Sequence, residues 1–110
     1  MKKKIVITII TIAALAFNGR AASDSLSARI AHRMQDSLAL SDEQKNSIYT
    51  INVLLQQRKQ AARNKETDIT VLKAVFQEIE NSRDSLYLPV LGQNKYNQYK
   101  QKKTILLRNN

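Results

Sequence analysis

The chain has 110 residues, 18 lysines and arginines against 9 aspartates and glutamates, and a formal charge of +9. It holds one histidine and no cysteine, which excludes disulfide scaffolds, thiolate metal sites and cysteine nucleophiles. A short chain without disulfides draws its stability from the packing of its elements or from association.

Three lysines, Lys2, Lys3 and Lys4, precede an apolar run from Ile5 to Phe17 that only Thr8 and Thr11 interrupt, and small residues follow at Gly19, Ala21 and Ala22. A charged start, an apolar centre and a small-residue end are the three parts of a secretory signal peptide. Thirteen residues fall short of the roughly 20 that a membrane-spanning helix needs, so cleavage is favoured over an uncleaved anchor. Either Ala16, with Ala14 two positions before it, or Ala21, with Gly19 two positions before it, suits the cleavage rule. The second point is preferred. It makes 1–21 the signal peptide and 22–110 a single helical domain in the periplasm, with no stable membrane insertion. The loss of Lys2, Lys3, Lys4 and Arg20 lowers the formal charge from +9 to +5, and what remains is too mildly basic to suggest a nucleic-acid partner. Without cysteine the chain cannot be a lipid-anchored lipoprotein.

Beyond residue 22, Pro89 and Gly92 are the only proline and glycine, which disfavours a many-turned β fold and leaves an all-α reading of about four helices in antiparallel hairpins, near 24–39, 42–64, 68–88 and 92–108. In the first, Leu26, Ile30, Met34 and Leu38 recur every four residues and Ala31 widens the same face. Ser41-Asp-Glu-Gln44 opens the second with a capping box, in which the serine is the more costly residue to lose. Asp42 and Glu43 suit the positive end of the helix dipole. Ile48, Ile51, Leu55 and Ala62 form the stripe of that helix, with Leu54 at its edge. Ile69, Leu72, Val75, Phe76, Ile79 and Leu86 form the stripe of the third, which Pro89 is expected to stop near Leu88. The fourth places Tyr96, Tyr99 and Leu106 inward and Lys100, Lys102 and Lys103 largely outward.

Some residues depart from this amphipathic pattern. Arg83 falls on the apolar stripe of the third helix and is expected to snorkel at its edge. Tyr49 and Val53 lie off the stripe of the second helix. They serve either a second neighbouring helix or, with the basic cluster Arg58, Lys59, Arg63 and Lys65, a partner-binding surface; the cluster also complements the negative end of the dipole.

Residues for catalysis do not converge. His32 has no nucleophile to activate, and His32 with Asp36, one helical turn apart, gives only two of the ligands a metal ion needs. Asp42 and Glu43 point about 100° apart at a helix start, where capping accounts for them. No glycine-rich phosphate cradle and no aromatic-basic stacking pattern is present. The chain therefore reads as a non-enzyme without a cofactor.

The stretch Arg29 to Asn52 resembles the opening of the Spy/CpxP-like envelope proteins, whose mark is a Leu-Thr-x-x-Gln motif, usually present twice. Leu40, Ser41 and Gln44 match the first copy, with serine in place of threonine. Val90, Leu91 and Tyr96 match the Val-Leu and aromatic positions of the second, whereas Gly92 replaces threonine and Lys95 replaces glutamine. The resemblance implies a curved or cradle-like helical particle, often a homodimer, that acts as an ATP-independent chaperone or in the envelope stress response. Its implied partners are unfolded or envelope protein clients, or the periplasmic domain of a membrane sensor. A structural envelope protein without clients is the remaining alternative. The motif residues read as helix-starting devices, not as catalytic groups.

Overall fold

The computed structural model describes residues 21–109, with side chains from Ser25 onward; apart from Ala21, the signal-peptide assignment concerns residues outside that range. The described secondary structure is entirely helical, in three elements: α1 (Ala21–Leu38), α2 (Asp42–Lys65) and α3 (Ile69–Leu106). Four separate helices were expected. Helix α3 instead runs through Pro89 and is broken at Gly92, whose φ of 80° and ψ of 162° are not helical.

Proline did not end the helix because its costs are small at this place. Pro89 and Ser85, whose carbonyl loses its helical donor, are both exposed, so water can satisfy the freed acceptor. The chain then turns at Gly92, in a region of backbone space that essentially only glycine enters. Two ring centroids, Tyr87 and Tyr99, lie 5.1 Å apart across the break, and Lys103 Nζ donates to Asp84 Oδ2 at 3.0 Å. In an unbroken helix residues 84 and 103 would be separated by about 28 Å. The two arms of α3 are therefore folded back on each other.

Helices α1 and α2 form a second hairpin. Ala39, at φ 56°, supplies the left-handed residue that commonly ends a helix, and Ser41 begins the next one. The Ser41 hydroxyl accepts the Gln44 amide at 3.0 Å, and the Gln44 side chain accepts the Ser41 amide at 3.0 Å. This is the expected capping box. One contiguous core joins Ile30, Ala31, Met34 and Leu38 of α1, Leu40, Ile48, Ile51 and Leu55 around α2, and Ile79, Tyr87, Leu91, Tyr99 and Leu106 of α3.

The apolar stripe of α3 is covered only in part. Ile79 is buried, but Leu72, Val75, Phe76 and Leu86 are half-buried and Ile69 is 64% exposed. Contacts between the helices give the reason. Asn52 of α2 reaches Ser27 of α1, so the described start of α1 at Ala21 lies level with about residue 58, and the second arm of α3 ends at Leu106 after lying against Asp84. Beyond Lys59 the α2–α3 pair stands alone among the described residues, for about 10 Å of helix. We accordingly expect Leu72→Ala to cost about 1 kcal/mol, well under the 2–5 typical of a filled core; a urea melt showing the larger loss would mean that another surface covers this end.

Candidate functional site

Two groups of polar side chains organise the molecule, one at the turns and one between α2 and α3. At the turns, each hairpin completes the other. Gln44 Nε2 donates to the Val90 carbonyl at 3.1 Å, and Lys95 Nζ donates to the carbonyls of Leu38 and Ala39 at 2.8 and 2.7 Å. Val90 and Ala39 each precede the motif leucine, so residue five of either motif reaches the same backbone position in the other copy. The correspondence continues inward. Leu40, Ile48 and Leu55 and, 51 positions on in each case, Leu91, Tyr99 and Leu106 are all buried.

Lys95 in place of glutamine thus serves the arrangement. A cation beside the last carbonyls of α1 complements the negative end of its dipole. Gln44 has a task that the local motif did not reveal, since it holds both the Ser41 amide and the Val90 carbonyl. The expected order of the two residues is accordingly reversed. Gln44→Ala should cost as much as Ser41→Ala or more, each on the order of 0.5–2 kcal/mol, and denaturant melts of the pair in which the serine loss dominates would contradict the cross-hairpin bond.

Between α2 and α3 lies a buried polar network. Arg83 is 4% exposed and does not snorkel. Its guanidinium donates to Glu80 through Nε at 2.9 Å and Nη2 at 3.2 Å, and Nη1 donates to Asn52 Oδ1 and to the Tyr87 hydroxyl, both at 2.9 Å. The Tyr87 hydroxyl donates to Asn52 Oδ1, the Asn52 amide donates to the Ser27 carbonyl at 3.1 Å, and Lys59 pairs with Glu80. The network satisfies a guanidinium that would otherwise lie unpaired in apolar surroundings. Nearby, Asp84 accepts from Tyr99 Oη at 2.7 Å and from Lys100 and Lys103 at 3.1 and 3.0 Å. Arg33 donates to the carbonyls of Ile105, Leu106 and Arg108 at 3.3, 3.0 and 2.9 Å, closing the end of α3.

Burial raises the Glu80 carboxyl, but the hydrogen bonds and charges of Arg83 and Lys59 outweigh it and hold the group at about 2 against an ordinary 4.5. Asp84 is likewise lowered, burial being outweighed by Tyr99 and the two lysines. Burial and the bond to Asp84 raise the Tyr99 hydroxyl. A depressed carboxyl means that the unfolded chain binds more protons, so the stabilisation is complete above pH 4.5 and is lost as pH falls from 4.5 to about 2. For Glu80 it amounts to roughly 2–3 kcal/mol. Melts across this window should show a steep acid limb that Glu80→Gln flattens; parallel limbs for the two proteins would remove Glu80 as its source.

The surface residues singled out from the sequence separate into three groups. Val53 is fully buried outside the contiguous core, which removes it from any docking surface. Lys59 is turned inward to Glu80, with the Phe76 ring 5.7 Å from its ammonium, and Tyr49 is half-buried beside a shallow open hollow lined by Ala28, Ala31, His32, Lys45 and Asn46. Arg58, Arg63 and Lys65 remain exposed, Arg63 stacking on Phe76 at 5.1 Å. Of the motif residues, Leu40 and Leu91 are buried, Val90 and Tyr96 half-buried, and Ser41 and Gln44 occupy the turn. Among the described residues no three His, Cys, Asp or Glu side chains gather as for a metal ion, and no helix is long and apolar enough to cross a membrane. Compared with models of known protein families, with characterised proteins and with solved structures, the chain matches none.

Proposed function

We propose that this chain is a periplasmic binding protein of the Spy/CpxP type, chaperone-like or associated with envelope stress, that holds apolar segments of other proteins without ATP. The observation that carries the reading is the paired turn: the Leu40-Ser41-x-x-Gln44 box and its altered counterpart at Leu91 meet through Gln44 and Lys95. A further support is that α2 exposes the cations Arg58, Arg63 and Lys65, with Arg63 against Phe76, while Leu72, Val75 and Phe76 of α3 stay half-buried. Such mixed surfaces suit weak, sequence-tolerant capture of partly unfolded chains. The test is an aggregating client mixed with the purified protein at equal molar ratio. Suppressed light scattering supports the proposal, and an unchanged aggregation curve removes it.

The same exposed cations favour a second reading, a regulator docking on an acidic face of a membrane sensor's periplasmic domain. Crosslinking in intact cells separates the two: one dominant adduct supports regulation, and a broad distribution of adducts supports client holding.

A further inference from the structure

We propose that the free end of the α2–α3 hairpin is a docking element for an anionic lipid surface. Two of the three exposed large apolar residues among the described residues lie there, Ile69 at 64% and Val71 at 42%. Arg63, Lys65 and Lys73 are exposed around them. The two carboxylates of the connecting loop are turned to backbone amides: Glu66 accepts from Asp68 N at 3.0 Å, and Asp68 accepts from Thr70 N and Val71 N at 2.8 and 3.4 Å. Both carboxylates keep their charge and favour the positive start of α3, and the cations of the tip, Arg63, Lys65 and Lys73, outnumber them three to two.

Shape selects the occupant. Among the described residues this end projects beyond α1 and the second arm of α3, so its apolar side chains stand on a convex point and line no groove with them. A partner helix needs a complementary groove to bury its apolar face. A bilayer needs none, since aliphatic side chains can enter the headgroup boundary while neighbouring lysines and arginines meet lipid phosphates. Ile69 and Val71 supply the first contact and Arg63, Lys65 and Lys73 the second. The inference shares Arg63 and Lys65 with the client-holding reading but rests on Ile69 and Val71, which that reading does not use.

The chain has no cysteine, so a single introduced thiol can carry an environment-sensitive fluorophore. With Val71→Cys labelled, phosphatidylglycerol vesicles should shift the emission to the blue, and pure phosphatidylcholine vesicles should not. A label on Gln98→Cys, exposed on the second arm of α3, should stay unchanged. Replacing Arg63, Lys65 and Lys73 together by alanine should weaken the response about 100-fold, and circular dichroism checks that these exposed changes leave the fold intact. An equal shift at Gln98→Cys would place the membrane contact elsewhere. A shift at Val71→Cys that grows with protein concentration without vesicles would make the occupant a second copy of the chain. Either result, or no shift on phosphatidylglycerol, overturns the proposal.

Discussion

Arg83→Ala should destabilise the protein by about 3–5 kcal/mol, because it removes the most deeply buried cation of the network and leaves the groups it binds short of a partner. Glu80 would keep Lys59 alone, while Asn52 Oδ1 and the Tyr87 hydroxyl would lose the donor they share. For a domain of this size the loss corresponds to a fall of more than about 12 °C in melting temperature. Removing the network as a whole, by Arg83→Met, Glu80→Met, Lys59→Met, Asn52→Leu and Tyr87→Phe together, should recover most of that loss, since apolar groups of similar volume replace the paired charges. Thermal melts of the two variants decide the matter. A single change costing under about 1 kcal/mol would show that Arg83 finds water, and the network would then be an ornament of the packing.

The other large effect is expected at Tyr99. Its ring is fully buried and meets Tyr87 edge-on at 70°, and its hydroxyl binds Asp84 at 2.7 Å. It links the second arm of α3 to the first through both its ring and its hydroxyl. Tyr99→Ala should cost about 3–5 kcal/mol and should raise amide exchange selectively over residues 93–106, because the arm loses its anchor before the α1–α2 hairpin does. Tyr99→Phe keeps the ring and should cost nearer 1 kcal/mol, the worth of one hydrogen bond. Uniform exchange along the whole chain in the alanine variant would mean that the arm has no separate stability.

What the sequence disclosed and what it hid follow from the range of each interaction. The capping box joins residues three apart, and the stripes of α1 and α2 recur every three or four, so both are written locally. Arg83 and Asn52 are 31 apart and each looks anomalous alone. Only the register of α2 against α3 makes them partners, although two polar residues on facing apolar stripes were a signal that could have been read. The acceptors of Gln44, Lys95 and Arg33 are backbone carbonyls, which leave no mark on residue type. Periodicity gave the inward face of α3 but not how far its neighbours extend, and so Ile69 and Leu72 were expected inside. Pro89 carried a strong stop signal that its solvent position weakened, and the turn fell three residues later.

The reversal at Gly92 uses a single residue, and this has a consequence for how the gene can vary. Every residue added to or deleted from that bend would rotate the following arm by about 100°, swinging Tyr99 and Leu106 away from the core and bringing Gln98, for an addition, or Lys100, for a deletion, into the place of Tyr99. The 66–68 connection at the opposite pole carries no such phase constraint, because the paired ends beyond it meet few neighbours. Length changes among descendants of this chain should therefore collect at that pole and spare the bend.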